Sequence, residues 1–150
     1  MARSSGPEKR LKILVPVDGS ACSDRVIEQL IRQFEVEGPM DLHLINVQMP
    51  VDSGHARMFV SADDVEAYHR EEGSLALSAA RRELDAVGIP YSWHVVVGRV
   101  AETLVRFAQE HGFDGIVMGT HGRGGLANLL LGSVAKEVSR SAAIPVTLVK

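Results

Sequence analysis

The chain has 150 residues, 45% of them hydrophobic and 23% charged. That is enough for one domain with a sizeable core and hardly enough for two, in proportions ordinary for a globular protein. A formal net charge of −3 argues against a broad nucleic-acid-binding or acidic-membrane surface, though not against a local anion site.

The single cysteine, Cys22, rules out an internal disulfide and suits a reducing compartment. A buried position near a helix start explains it more simply than a reactive thiol does. The opening MARSSGPEKR is charged and lacks the apolar stretch of a signal peptide, so residues 1–10 are expected to be disordered and 11–150 to form a single domain. No apolar run nears the ~20 residues needed to cross a bilayer. A cytoplasmic location with no membrane contact is the expectation.

In chain order, Lys12–Val17 (KILVPV) is an unbroken apolar run ending at Asp18-Gly19-Ser20, the pattern of a strand buried on both faces. Val26, Ile27, Leu30, Ile31 and Phe34 then recur at the spacing of one helix face, with Ser20 or Ser23 available as N-cap. Gly38-Pro39 ends that helix, and Leu42–Val47 reads as a second strand. Residues 48–62 carry Pro and Gly with little periodicity and read as a long mobile connection. A long helix is predicted from about Asp63 to Val87, closed by Gly88-Ile89-Pro90.

Tyr91–Val97 alternates at its start, as a strand near a sheet edge with one wet face would. Ala101, Leu104, Val105 and Ala108 mark a helix closing at His111-Gly112, and Gly115–Met118 is a fourth strand leading into glycines. Val134, Ala135 and Val138 trace a last helix, and Pro145 introduces a strand over Val146–Val149. Strands alternating with helices throughout predict an α/β fold, a five-stranded parallel doubly wound sheet.

In such sheets ligands bind beyond the carboxyl ends of the strands, where the strand order reverses. Two signals lie at such ends: Asp18 after the first strand, and Gly119-Thr120-His121-Gly122 after the fourth. Gly132-Ser133 follows nine residues later and opens the last helix, whose first turn, Ser133-Val134-Ala135-Lys136, has no acidic residue. Bare glycine backbone lets N–H groups approach an anion closely, and a helix start adds its positive dipole end. Arg123, inside the loop, would add a charge-assisted contact. A tight turn followed by a helix cap explains the same glycines without a ligand.

The Walker A pattern is absent, and the glycines follow the fourth strand, whereas a dinucleotide-binding loop follows the first. Asp18 suits either a ribose or Mg²⁺ contact or a helix cap. Ser20 reads as a cap, with no nucleophile motif around it. The six histidines show no metal-ligand spacing, so no metal site made wholly of protein ligands is expected. His121 alone sits within the glycine loop, either to contact phosphate or to shape the turn.

Gly119-x-x-Gly122, nine residues, then Gly132-Ser133 resembles the G-x2-G-x9-G-[ST] signature of the ATP-binding branch of the universal stress protein family. KILVPVDGS, VGRVAETLVRFAQEHGFDGIVMGTHGRG and GSVAKEVSRSAAIPVTLVK sit where that family has them, so the resemblance covers nearly the whole chain. It implies sheet order 3-2-1-4-5, the Rossmann-like architecture of the adenine nucleotide α-hydrolases, with the crevice between strands one and four. By the same resemblance adenine lies against Pro16, Val17, Val47 and Met118, and Asp18 contacts ribose or adenine. Gly119, His121, Gly122, Arg123, Gly132, Ser133 and Val134 surround ribose and phosphates. The implied cofactor is ATP, with Mg²⁺ held mainly through the phosphates. Asn46 departs from the pattern, since many members carry His there.

The resemblance also implies a homodimer through the last strand, Val146–Val149, whose apolar edge is undesirable if exposed. The implied role is a nucleotide-dependent stress-response module acting on a regulatory protein partner that the sequence does not name. The alternative is a slow ATPase or nucleotidyl-transfer enzyme using the same pocket. Against efficient catalysis, no general base with an orienting partner accompanies the phosphate loop, and no catalytic residue is assigned.

Overall fold

The computed structural model describes residues 10–51, 61–122 and 131–150. The expectations for a disordered start, a mobile 48–62 connection and a phosphate contact from Arg123 fall wholly or mainly on residues outside these.

Five strands and the helices between them follow the expected alternation: β1 (Lys12–Pro16), α1 (Ala21–Glu37), β2 (Asp41–Gln48), α2 (Ala62–Ala86), β3 (Tyr91–Val97), α3 (Val100–Glu110), β4 (Gly115–Gly119), α4 (Ser133–Ser141) and β5 (Val146–Val149). The sheet order is β3-β2-β1-β4-β5, and every pairing is parallel. This is the order that the resemblance implies. β1 stops one residue short of the apolar run, because pairing with β2 ends at Pro16 opposite Ile45. Val17 still donates its N–H to the Ile45 carbonyl at 2.9 Å.

The unbroken apolar runs are explained by burial on both sides. Ile13, Val15 and Val17 join Val26, Ile27 and Leu30 of α1 and Leu77, Ala80 and Leu84 of α2 in one core. Leu14, Ile45, Ile116 and Met118 join Leu104 and Ala108 of α3 and Ala135 and Val138 of α4 in the other. Successive strand residues thus feed opposite layers, the period of two that a strand imposes. Among the described residues β3 pairs only with β2, which accounts for its wetter face; Trp93 there is half-exposed beneath the Arg81 guanidinium, 4.5 Å away.

Two helix starts are capped by serine. Ser20 is the N-cap of α1, its hydroxyl accepting from Ser23 N–H, and Ser61 caps α2 in the same way. Cys22 is buried in the first turn of α1. α4 starts at Gly132 with no side-chain cap and no acidic residue in its first turn.

Candidate functional site

The order reverses at β1, whose chain-order neighbour β2 lies on one side and β4 on the other. A cavity of about 810 Å³ opens at the carboxyl ends of these strands. Pro16, Val17 and Asp18 line it from the end of β1, and Val47 from the end of β2. Met118, Gly119, His121 and Gly122 line it from β4 and its loop, and Gly132, Ser133 and Val134 from the start of α4. Of the twelve residues singled out in the sequence, eleven therefore border one space. The twelfth, Arg123, lies outside the described residues.

Asp18 takes the helix-start role left open for it while also bordering the cavity. Its Oδ1 accepts from Ser20 N–H at 2.9 Å and from the Ser23 hydroxyl at 2.8 Å, while its own N–H donates to Ser23 Oγ at 3.2 Å. That turn passes through Gly19 at φ +82, a conformation that glycine adopts without penalty. One carboxylate oxygen is thus fixed on the helix start. The other, Oδ2, faces Gly122, where an added Cβ would lie 2.6 Å away.

The glycines of the two clusters do different work. Neither Gly122 nor Gly132 has a positive φ, so their value lies in space. A Cβ on Gly132 would meet the Thr120 carbonyl oxygen at 3.1 Å and His121 Cα at 3.4 Å. Gly132 N–H donates to that same Thr120 carbonyl at 2.6 Å, and Thr120 N–H donates to the Val149 carbonyl at 3.0 Å. These two bonds hold the glycine loop, the start of α4 and the end of β5 together. Gly119 is required for packing: an added Cβ would come within 2.5 Å of the buried Cys22 sulfur. His121 Nδ1 lies 3.1 Å from Thr120 Oγ1, so this ring shapes the loop as well as bordering the cavity.

Two further sets of lining residues stand out beyond those twelve: Asn46, noted in the sequence only as a departure from the family pattern, and a stripe on α2. Asn46 is buried, donates from Nδ2 to the Val17 carbonyl at 2.8 Å, and accepts from Gln48 Nε2 at 2.6 Å. The second set is Glu72, Leu75, Ala76 and Ala79 of α2. Their i, i+3, i+4, i+7 spacing is visible in the sequence, but a core-facing stripe looks the same. Met49 and Leu75 line the cavity while remaining largely exposed.

The model of the universal stress protein family matches residues 9–150. The chain belongs to that family. It is 31% identical over 146 residues to universal stress protein MJ0531 of Methanocaldococcus jannaschii, covering 93% of this chain and 81% of that one. Among solved structures, MJ0577 of the same organism superposes with a TM-score of 0.77 at 26% identity, covering 95% of this chain and 97% of that one. A universal stress protein of Archaeoglobus fulgidus, solved in complex with dAMP, superposes with a TM-score of 0.60 at 26% identity, covering 93% and 98%. Relatives of this universal stress protein thus include a binder of an adenine nucleotide. Among its own described residues no helix is long and apolar enough to cross a membrane, and no three His, Cys, Asp or Glu side chains converge to hold a metal ion.

Proposed function

We propose that this protein binds ATP in the crevice at the carboxyl ends of β1 and β4 and works as a nucleotide-dependent module of stress response. The observation that carries this reading is the pair of glycines at one cavity wall. Gly122 and Gly132 come from loop segments nine residues apart, and a Cβ on either would intrude on Asp18 or on the Thr120–His121 backbone. A wall of bare backbone beside an uncapped helix start suits polyanionic phosphate. The opposite wall, with Pro16, Val17, Val47 and Met118, is apolar and suits the faces of a purine ring.

In this reading Asp18 meets the ribose or the base, Gly119, His121, Ser133 and Val134 flank ribose and phosphates, and Arg123 adds charge. Mg²⁺ rides on the phosphates, where it neutralises charge without a protein cage. The dAMP bound by the Archaeoglobus fulgidus relative is consistent with the base, and two glycine-lined backbone segments beside a helix start suit a chain of phosphates. Calorimetric titration with Mg²⁺–ATP tests it: about one site per chain is expected, lost in Gly132→Val. No binding of ATP or of AMP by the wild-type chain would end this reading.

The same reading includes a homodimer through β5. Val146, Leu148 and Val149 are only half-buried on the last strand of the sheet, an edge that pairing with a second copy would satisfy. Sedimentation at micromolar concentration should give a dimer mass, and a monomer would remove this part. The regulatory partner is a protein that reads the nucleotide state, identifiable by nucleotide-dependent capture.

A further inference from the structure

The end of β2 pairs in an unusual way. Gln48 turns its carbonyl toward β3, accepting from Gly98 N–H at 2.9 Å, while Ile45 turns its carbonyl toward β1, accepting from Val17 N–H at 2.9 Å. By strand alternation Val47, like Ile45, offers its backbone N–H and C=O to the β1 side. Continued pairing would join Val47 N–H to the Val17 carbonyl. Among the described residues that bond is not made, and the β1–β2 register stops at Pro16 and Ile45.

The Val17 carbonyl is instead taken by the side chain of Asn46, whose Nδ2 donates to it at 2.8 Å. A carbonyl only accepts, which fixes the amide orientation, and Gln48 Nε2 pins the other end by donating to Asn46 Oδ1 at 2.6 Å. Asn46 is 5% exposed, so its amide is committed to these partners. Both Val17 and Val47 border the cavity.

We propose that Asn46 is a positioning residue: by occupying the Val17 carbonyl it stops β1 and β2 from zipping further and keeps the Val47 backbone edge open to a ligand's heteroaromatic base. The inference rests on the nucleotide reading for the identity of that ligand. Asn46 itself need not touch the base. A backbone donor and acceptor that β1 leaves unpaired among the described residues, beside apolar Met118 and Val17, is a slot for the hydrogen-bonding edge of a flat ring.

Two readouts test this, one of them independent of any ligand. Amide hydrogen exchange of the free protein should show Val47 N–H poorly protected beside its strand neighbours. In Asn46→Leu, where the Val17 carbonyl is released, Val47 N–H should gain about ten-fold or more protection as the strands zip by one bond. The second readout is competition binding. Asn46→Leu should weaken Mg²⁺–ATP about ten-fold while leaving inorganic tripolyphosphate, which has no base, unchanged. Asn46→His keeps a ring N–H donor and should restore both readouts.

Unchanged Val47 exchange in Asn46→Leu would overturn the proposal, and so would equal losses of ATP and tripolyphosphate, which mark a general loosening of the fold. If the wild-type chain binds no ATP while the exchange result holds, the nucleotide reading has failed and the pairing role of Asn46 stands. If ATP binds and Asn46→Leu leaves its affinity unchanged, the positioning role has failed and the nucleotide reading stands.

Discussion

The two ends of the sheet are built from the same strands and finished in opposite ways. From the amino ends to the middle of β2 and β3, side chains close on one another. His43 and His94 stack with Nδ1 and Nε2 2.9 Å apart, and His43 Nε2 reaches Asp41 at 3.1 Å. Phe113 packs edge-on to His43, Phe107 packs against His94, and Lys12 Nζ donates to the His111 carbonyl at 2.6 Å. At the carboxyl ends the chain supplies glycines and leaves a cavity of about 810 Å³. Polar groups at the first end are consumed by neighbours in the fold. At the second end Asp18 Oδ1 is fixed on the start of α1, and Thr120 and Gly132 are held by backbone bonds. An end that holds itself together internally is suited to stability, and an end that holds its backbone apart is suited to a ligand.

Substitutions at either end should separate these roles. The largest effect is expected from Gly122→Val. Its side chain would displace Asp18, whose Oδ2 lies 2.6 Å from the added Cβ, and fill the phosphate space. Mg²⁺–ATP affinity should fall about a hundred-fold or more, the scale of several lost charge-assisted contacts, with a loss of Tm of a few degrees from the displaced Asp18. Gly119→Ala should do the reverse. Its Cβ meets the Cys22 sulfur at 2.5 Å, an overpacking that costs about 1–3 kcal/mol and lowers Tm by roughly 3–10 °C. If Gly119→Ala unfolds like the wild type and loses only nucleotide, the division of labour between the glycines is wrong.

The amino end should reveal itself through pH. Burial first, then the neighbouring His43, His111 and Lys12, holds the His94 pKa below its ordinary 6.5. The folded state therefore binds fewer protons than the unfolded chain, so this contribution is present above pH 6.5 and is lost as pH falls below it. Urea unfolding at pH 7.5 and pH 5.5 should show the decline, and His94→Gln should flatten it. Nucleotide affinity should follow neither change. The smallest effect is expected at Glu83 on α2. Desolvation, then Asp24 and Glu28, raises its pKa, and its Oε2 is buried without a hydrogen-bond partner among the described residues. A raised carboxylate pKa opposes folding at neutral pH, so Glu83→Gln should raise Tm by about one degree at pH 7, with the gain fading toward pH 4.

The sequence makes the carboxyl end far easier to read than the amino end. KILVPV and GIVM announce doubly buried strands because both faces need apolar residues, and glycines at the end of β4 and the start of α4 stand out against them. The separate reason for Gly119 is hidden, because it depends on Cys22, far away in the chain, arriving beneath it. Asn46 looks like a minor departure until the register shows which carbonyl its amide takes. The His43–His94 pair is invisible for the same reason: only the β2–β3 register, with His43 opposite Ser92 and His94 opposite Ile45, brings the two rings together. Composition and spacing specify elements and their faces, whereas a hydrogen bond across strands depends on register.

The most direct measurement is a titration of isotopically labelled protein with Mg²⁺–ATP, followed by backbone amide chemical shifts. Saturable shifts should concentrate at Val47, Gly119–Gly122 and Gly132–Val134, while His43, Ser92, His94 and Phe113 at the far end of the sheet stay still. Shifts centred on the histidine end, or none at any residue up to millimolar ATP, would contradict the assignment of the glycine-lined crevice as the nucleotide site.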